Sequence, residues 1–135
     1  MRAQVAVEYM ILIGFVLMIL IPFTLYSYDL SLRYSEEKAI RDARDSVEKL
    51  GQLSDWICSQ GPPAKVVTQI YIPNRIETIE IHDRIINFKL RVSSGVSDVY
   101  YITTCNVSGT LPLTEGYINA ELEARGDGVV IEVAS

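Results

Sequence analysis

Glu8 is the only formally charged side chain between Arg2 and Asp29. A carboxylate set in so apolar a stretch is costly in lipid, about 2.5–3.5 kcal/mol at the centre of a helix and less near its end. It therefore either reaches the headgroups or pairs with a positive charge. Cys58 and Cys105 lie far apart and match no metal-ligand spacing. Outside the cytoplasm such a pair forms a disulfide, which chain entropy values at about 4 kcal/mol as an upper figure. Two separate buried thiols are the alternative. Asn106-Val107-Ser108 is an N-glycosylation sequon, the only one in the chain.

Other reactive residue types form no such constellation. A hydrolase needs a nucleophile with an oriented base. The single histidine, His82, sits in a polar stretch, and no nucleophile elbow, phosphate loop or dinucleotide glycine pattern is present. Glu36 and Glu37 read as solvated residues on a helix surface. Arg125-Gly126-Asp127 spells an adhesion tripeptide, but a Gly-Asp-Gly hairpin turn accounts for it. No enzyme, metal site or cofactor is expected. The 135 residues are 49% apolar and 21% charged, so the chain is not disordered. A net charge of −5 and a pI near 4.8 argue against nucleic acid as a partner.

The elements that must position these residues divide the chain in two. From Tyr9 to Tyr28 there is no formal charge. At 1.5 Å per residue this run measures about 30 Å, the thickness of a bilayer's hydrocarbon core. Tyr9 at one end and Tyr26 and Tyr28 at the other suit the two interfaces. Gly14 and Pro22 interrupt the run; Pro22 removes one backbone donor and predicts a mild kink. Beyond Asp29, Ile40, Ala43, Val47, Leu50, Leu53 and Ile57 recur every three or four residues, the apolar face of an amphipathic helix. Glu37–Arg41 and Asp45–Lys49 are i,i+4 pairs in the favourable order. The expectation is one helix from about Gln4 to Ser59, with Trp56 and Ile57 docking near its end and Gly61-Pro62-Pro63 stopping it.

After Pro63 the period changes to two. Residues 66–72, 76–81, 85–92, 99–107, 116–124 and 129–133 read as six short strands, with 93–98 as a polar loop. The predicted fold is α+β: a long N-terminal helix packed against a small antiparallel β-sheet or sandwich. The expected division is a leader at 1–3, a membrane-spanning or filament-core helix at 4–28, an amphipathic extension at 29–60 and an extracellular β-domain at 64–135.

The string Ala3-Gln4-Val5-Ala6-Val7-Glu8-Tyr9, followed by an apolar helix, resembles the class III signal peptides of archaeal type IV pilin-like proteins. The resemblance implies a cut between Ala3 and Gln4 by a prepilin peptidase. Gln4 then becomes the first mature residue, with Glu8 and Tyr9 as the family's fifth-position acid and the aromatic after it. Two positions depart from the usual pattern: Ala3 stands for the common Gly before the cut, and Ala6 for a common Ser. The likeness continues diffusely in Ile72-Pro73, Gly109-Thr110-Leu111-Pro112, Gly116-Tyr117 and Val129-Val130-Ile131.

The resemblance further implies a single-pass membrane protein that joins other pilin subunits in a cell-surface filament, Gln4, Glu8 and Tyr9 being the assembly residues. Glu8 of one subunit would pair with the Gln4 amine of its neighbour. Charge placement argues the other way on orientation. Arg33, Lys38, Arg41 and Arg44 come after the apolar run, and the positive-inside rule would keep the C-terminal part of the chain in the cytoplasm. The leader, the cysteine pair and the sequon outweigh it here. An ordinary secretory signal peptide fits poorly, because residues 25–29 offer no small-residue cleavage site. The alternative function is a permanently anchored extracellular binding module, with the tyrosines at Tyr100, Tyr101 and Tyr117 as the place for a surface ligand.

Overall fold

A computed structural model describes residues 1–134. It contains one helix, α1 (Arg2–Gln60), and seven strands: β1 (Lys65–Ile72), β2 (Ile76–His82), β3 (Ile85–Val92), β4 (Gly95–Ile102), β5 (Asn106–Gly109), β6 (Gly116–Arg125) and β7 (Gly128–Val133). The long helix packed against small sheets is the α+β architecture expected from the sequence. Two compact units divide the chain, residues 1–36 and the remainder from Glu37 on.

In the second unit the buried stripe of α1 is Ala39, Ala43, Ser46, Val47, Leu50, Gly51, Ser54 and Ile57. These have the spacing that keeps residues on one helical face. Ile40 and Leu53, expected in the stripe, lie at its margin and are only partly buried. Trp56 does not dock: it is 55% exposed while its neighbour Ile57 is fully buried. The difference is one step of about 100° around the helix, which turns the indole away from the sheets. The helix stops at Gly61, whose φ of 75° suits a residue without Cβ and whose N–H donates to the Ile57 carbonyl at 3.0 Å. Pro62 and Pro63 come next.

The strands form two sheets. One has the order β1-β6-β7-β5 and the other β2-β3-β4. All pairs are antiparallel except β5–β7, which is parallel. The expected strands are corrected at two places. Residues 93–98 are not a loop: Val92 pairs with Gly95, so Ser93 and Ser94 alone make the turn and β4 begins at once. Nor is 99–107 one strand. It breaks at Thr103–Cys105, where buried Thr103 donates its Oγ1 hydrogen to the Cys105 carbonyl at 2.6 Å. Such local side-chain bonds compete with a sheet ladder. The Arg125–Gly128 hairpin turn places Gly126 at a φ of 59°, as the turn reading of that tripeptide requires.

One core joins these elements. Ile70, Ile72, Ala120, Leu122, Val129 and Ile131 from the first sheet meet Ile81, Ile86, Phe88, Leu90 and Val99 from the second, together with the stripe of α1. Polar contacts fix the helix beside the first sheet. Ser46 Oγ donates to the Tyr71 carbonyl at 2.6 Å and accepts from the Tyr71 N–H at 3.3 Å, and Lys49 Nζ donates to the Gln69 carbonyl at 2.7 Å. These contacts cap the open edge of β1. Lys49 therefore serves the strand and not the expected pair with Asp45, whereas Glu37–Arg41 is present at 3.8 Å. At the opposite seam, Val107 N–H donates to the Asp83 carbonyl at 2.7 Å, tying β5 to the β2–β3 turn.

Candidate functional site

In the first unit, α1 includes Arg2, Ala3 and Gln4. Gln4 and Glu8 are four residues apart, so they share a helical face about 6 Å apart along the axis. Tyr9 is 64% exposed, and the large apolar side chains from Met10 to Phe23 are all exposed as well. The helix is long and apolar enough to cross a membrane, and none of its most apolar window is buried. An apolar helix segment whose most apolar window is left unburied by the described residues needs lipid or other helices around it. Pro22 lies inside the helix and has no N–H to donate. Two residues on, Thr24 Oγ1 donates to the Ile21 carbonyl at 2.8 Å.

The second constellation is a clamp at the far end of α1. Cys58 and Cys105 form a disulfide with their Cα atoms 6.4 Å apart. Asp55, three residues before Cys58, accepts three hydrogen bonds: from Tyr101 Oη at 3.0 Å, from the Thr104 N–H at 2.8 Å and from Thr104 Oγ1 at 3.1 Å. The hydrogen bond to Asp55 is the main reason the Tyr101 phenol titrates above its ordinary range, aided by burial and by the charges of Asp55 and Glu48. The Tyr101 ring occupies the space where a Cβ on Gly51 would stand. One disulfide, one carboxylate and one close ring contact thus fasten α1 to the end of β4 and the β4–β5 connection.

The sequon lies directly after the clamp. Asn106 opens β5, one of the two edge strands of its sheet, and its side chain and that of Ser108 face solvent while Val107 is buried between them. His82 ends β2 exposed, with Nδ1 at 3.3 Å from the exposed Asp83 carboxylate. Among the described residues no group of three or more His, Cys, Asp or Glu side chains could hold a metal ion.

Of the tyrosines expected to face a ligand, Tyr101 belongs to the clamp, while Tyr100 and Tyr117 are 63% and 71% exposed. Tyr117 meets Tyr71 edge-on, ring centres 5.0 Å apart, at the side of a groove of about 520 Å³ between α1 and β1. Sequence reasoning missed Asp55, Gly51 and this groove. Gly51 carried a signal, since a glycine inside an amphipathic helix implies a packing reason. Asp55 and the groove depend on which strands flank the helix, and that pairing is non-local. No family model, curated protein or solved structure matches this chain.

Proposed function

We propose that the chain is a type IV pilin-like subunit, processed at its N-terminus and assembled through α1 into a cell-surface filament. The observation that carries this reading is the placement of Glu8: a lone carboxylate one turn after Gln4, at the head of an apolar helix whose most apolar window is unburied among the described residues. Hydrolysis of the Ala3–Gln4 peptide bond by a prepilin peptidase leaves a carboxylate on Ala3 and a free α-amine on Gln4. That amine has an ordinary pKa of about 7.7–8.0 and so is largely protonated at neutral pH.

Within one helix the amine and Glu8 lie a turn apart. In a bundle, Glu8 of one subunit meets the amine of the next. A buried carboxylate without a partner is expensive, so the pairing selects one axial register from many sliding ones. Membrane anchoring before assembly, and an extracellular β-domain with its disulfide and sequon, fit the same reading. The test is a host carrying a prepilin peptidase and a filament assembly machine. The chain is expected in sheared surface filaments, and Glu8→Ala is expected to be processed but absent from them. Glu8→Ala filaments of unchanged abundance and subunit register would overturn the mechanism.

A second reading is a permanently anchored binding module. The groove beside Tyr117 offers such a module a place to bind. Under that reading the protein stays in the membrane fraction and no filament contains it.

A further inference from the structure

The groove between α1 and β1 carries side chains that the fold leaves unused. Asp42 and Asp45 enter it from the helix, and among the described residues neither carboxylate has a hydrogen-bond or ion-pair partner. Lys38 stands on the same side, also without an ion pair, while Lys49 is occupied by the Gln69 carbonyl. The opposite wall is aromatic: Tyr71, whose hydroxyl is 3.3 Å from Glu115 Oε1, and the exposed ring of Tyr117. Hydrogen-bonding groups on one wall, an aromatic ring on the other and a volume of about 520 Å³ make a shape that can hold a small ring or two.

The chemistry narrows the ligand. Two lysines and two aspartates cancel, so the groove's lining has no net charge to draw an ion. A cationic ligand would meet Lys38 and Lys49, and an anionic one would meet Asp42 and Asp45. A fully apolar ligand would strand both carboxylates away from water, which is costly. A polyhydroxylated, uncharged ring meets none of these objections. Its hydroxyls donate to the carboxylates and accept from the Lys38 ammonium, bonds to ionised partners that are stronger than neutral ones. Its C–H face packs on the Tyr117 ring, as an amphipathic aromatic surface allows.

We propose that this groove is a binding site for an uncharged saccharide, with Tyr117 as the stacking platform and Asp42 and Asp45 as acceptors. A filament subunit and a permanent anchor would each carry the groove, so the proposal stands apart from filament assembly.

The experiment is saturation-transfer NMR on the full chain held in a detergent whose headgroup is not a sugar. The probes are maltotriose, cellotriose and chitotriose, with digalacturonate and trilysine as charged comparators. Transfer to at least one neutral trisaccharide is expected, with a Kd on the order of 1 mM. Tyr117→Ala should weaken it about tenfold or more, and the double variant Asp42→Asn/Asp45→Asn should weaken it as well. Tyr100→Ala, a comparably exposed tyrosine outside the groove, should leave it unchanged. Tyr117 is a surface residue, so its loss should not unfold the domain, and circular dichroism of each variant checks this. No transfer to any neutral probe would overturn the proposal. So would transfer that survives Tyr117→Ala in a folded protein, or a groove-dependent preference for trilysine or digalacturonate.

Discussion

Replacing Gly51 by alanine sets two effects of opposite sign against each other. On an open helix surface the change stabilises, because alanine exceeds glycine in helix propensity by about 1 kcal/mol. At this position the new Cβ would overlap the ring of Tyr101. The ring must then leave its place, and its hydroxyl leaves Asp55, a bond of 3.0 Å to an ionised acceptor. Hydrogen bonds to charged groups are worth about 1.5–3 kcal/mol, and forcing extra volume into a packed contact costs about 1–3 kcal/mol. These costs overlap, since both arise from one displacement. Subtracting the propensity gain leaves a net loss of about 2 kcal/mol.

Urea unfolding of the detergent-held chain, tracked by Trp56 fluorescence and circular dichroism, reads this value as a lower midpoint. A double-mutant cycle sharpens it. In a Tyr101→Ala background the clash is gone, so Gly51→Ala should become neutral or stabilising by up to about 1 kcal/mol. If Gly51→Ala is as stable as the parent in the presence of Tyr101, the close contact between helix and ring is wrong.

Other consequences of the clamp and the sequon are equally direct. Replacing Cys58 and Cys105 together by serine should lower stability by up to about 4 kcal/mol, the chain-entropy figure for a sequence separation of 47, read as the shift in urea midpoint between variant and parent. Tyr101 has a folded-state pKa above its unfolded value, so its contribution is complete below about pH 10 and is lost as pH rises through the folded pKa. Stability measured against pH should therefore fall on the alkaline side, and Tyr101→Phe should flatten part of that fall. Made in a host that glycosylates such sequons, the chain should gain glycan mass that Ser108→Ala removes, with the circular dichroism spectrum unchanged.

The apolar run, the amphipathic stripe and most turns can be read from the sequence because each depends on neighbours a few residues away. Gly61 ends α1 where the glycine and two prolines predict, and Asp83 and Gly126 take the left-handed conformations that tight turns need. Contacts between distant segments are less legible. Ser46 interrupts the apolar spacing of the stripe, yet it is buried because it caps both backbone groups of Tyr71. Lys49 matches a helix pair with Asp45 on spacing, but the open edge of β1 offers it a carbonyl. The β-branched and aromatic stretch 99–107 has the composition of one strand; Asp55 on the helix and Thr103 within the stretch hold it broken. The parallel β5–β7 pairing joins segments whose order along the chain gives no local sign of it. At the candidate assembly site the reverse holds. Gln4, Glu8 and Tyr9 are legible as a pattern, and under the proposed reading their partners belong to lipid or to other chains.

The proposed register selection by Glu8 requires a free amine on Gln4. The most direct measurement is the N-terminal sequence and intact mass of the protein made in a host with an active archaeal prepilin peptidase. A chain that begins at Gln4, lighter by Met1, Arg2 and Ala3, is the predicted result. A chain that still begins at Met1, beside a control substrate that the same peptidase has cut, would contradict the pilin reading and remove the charge with which Glu8 is held to pair.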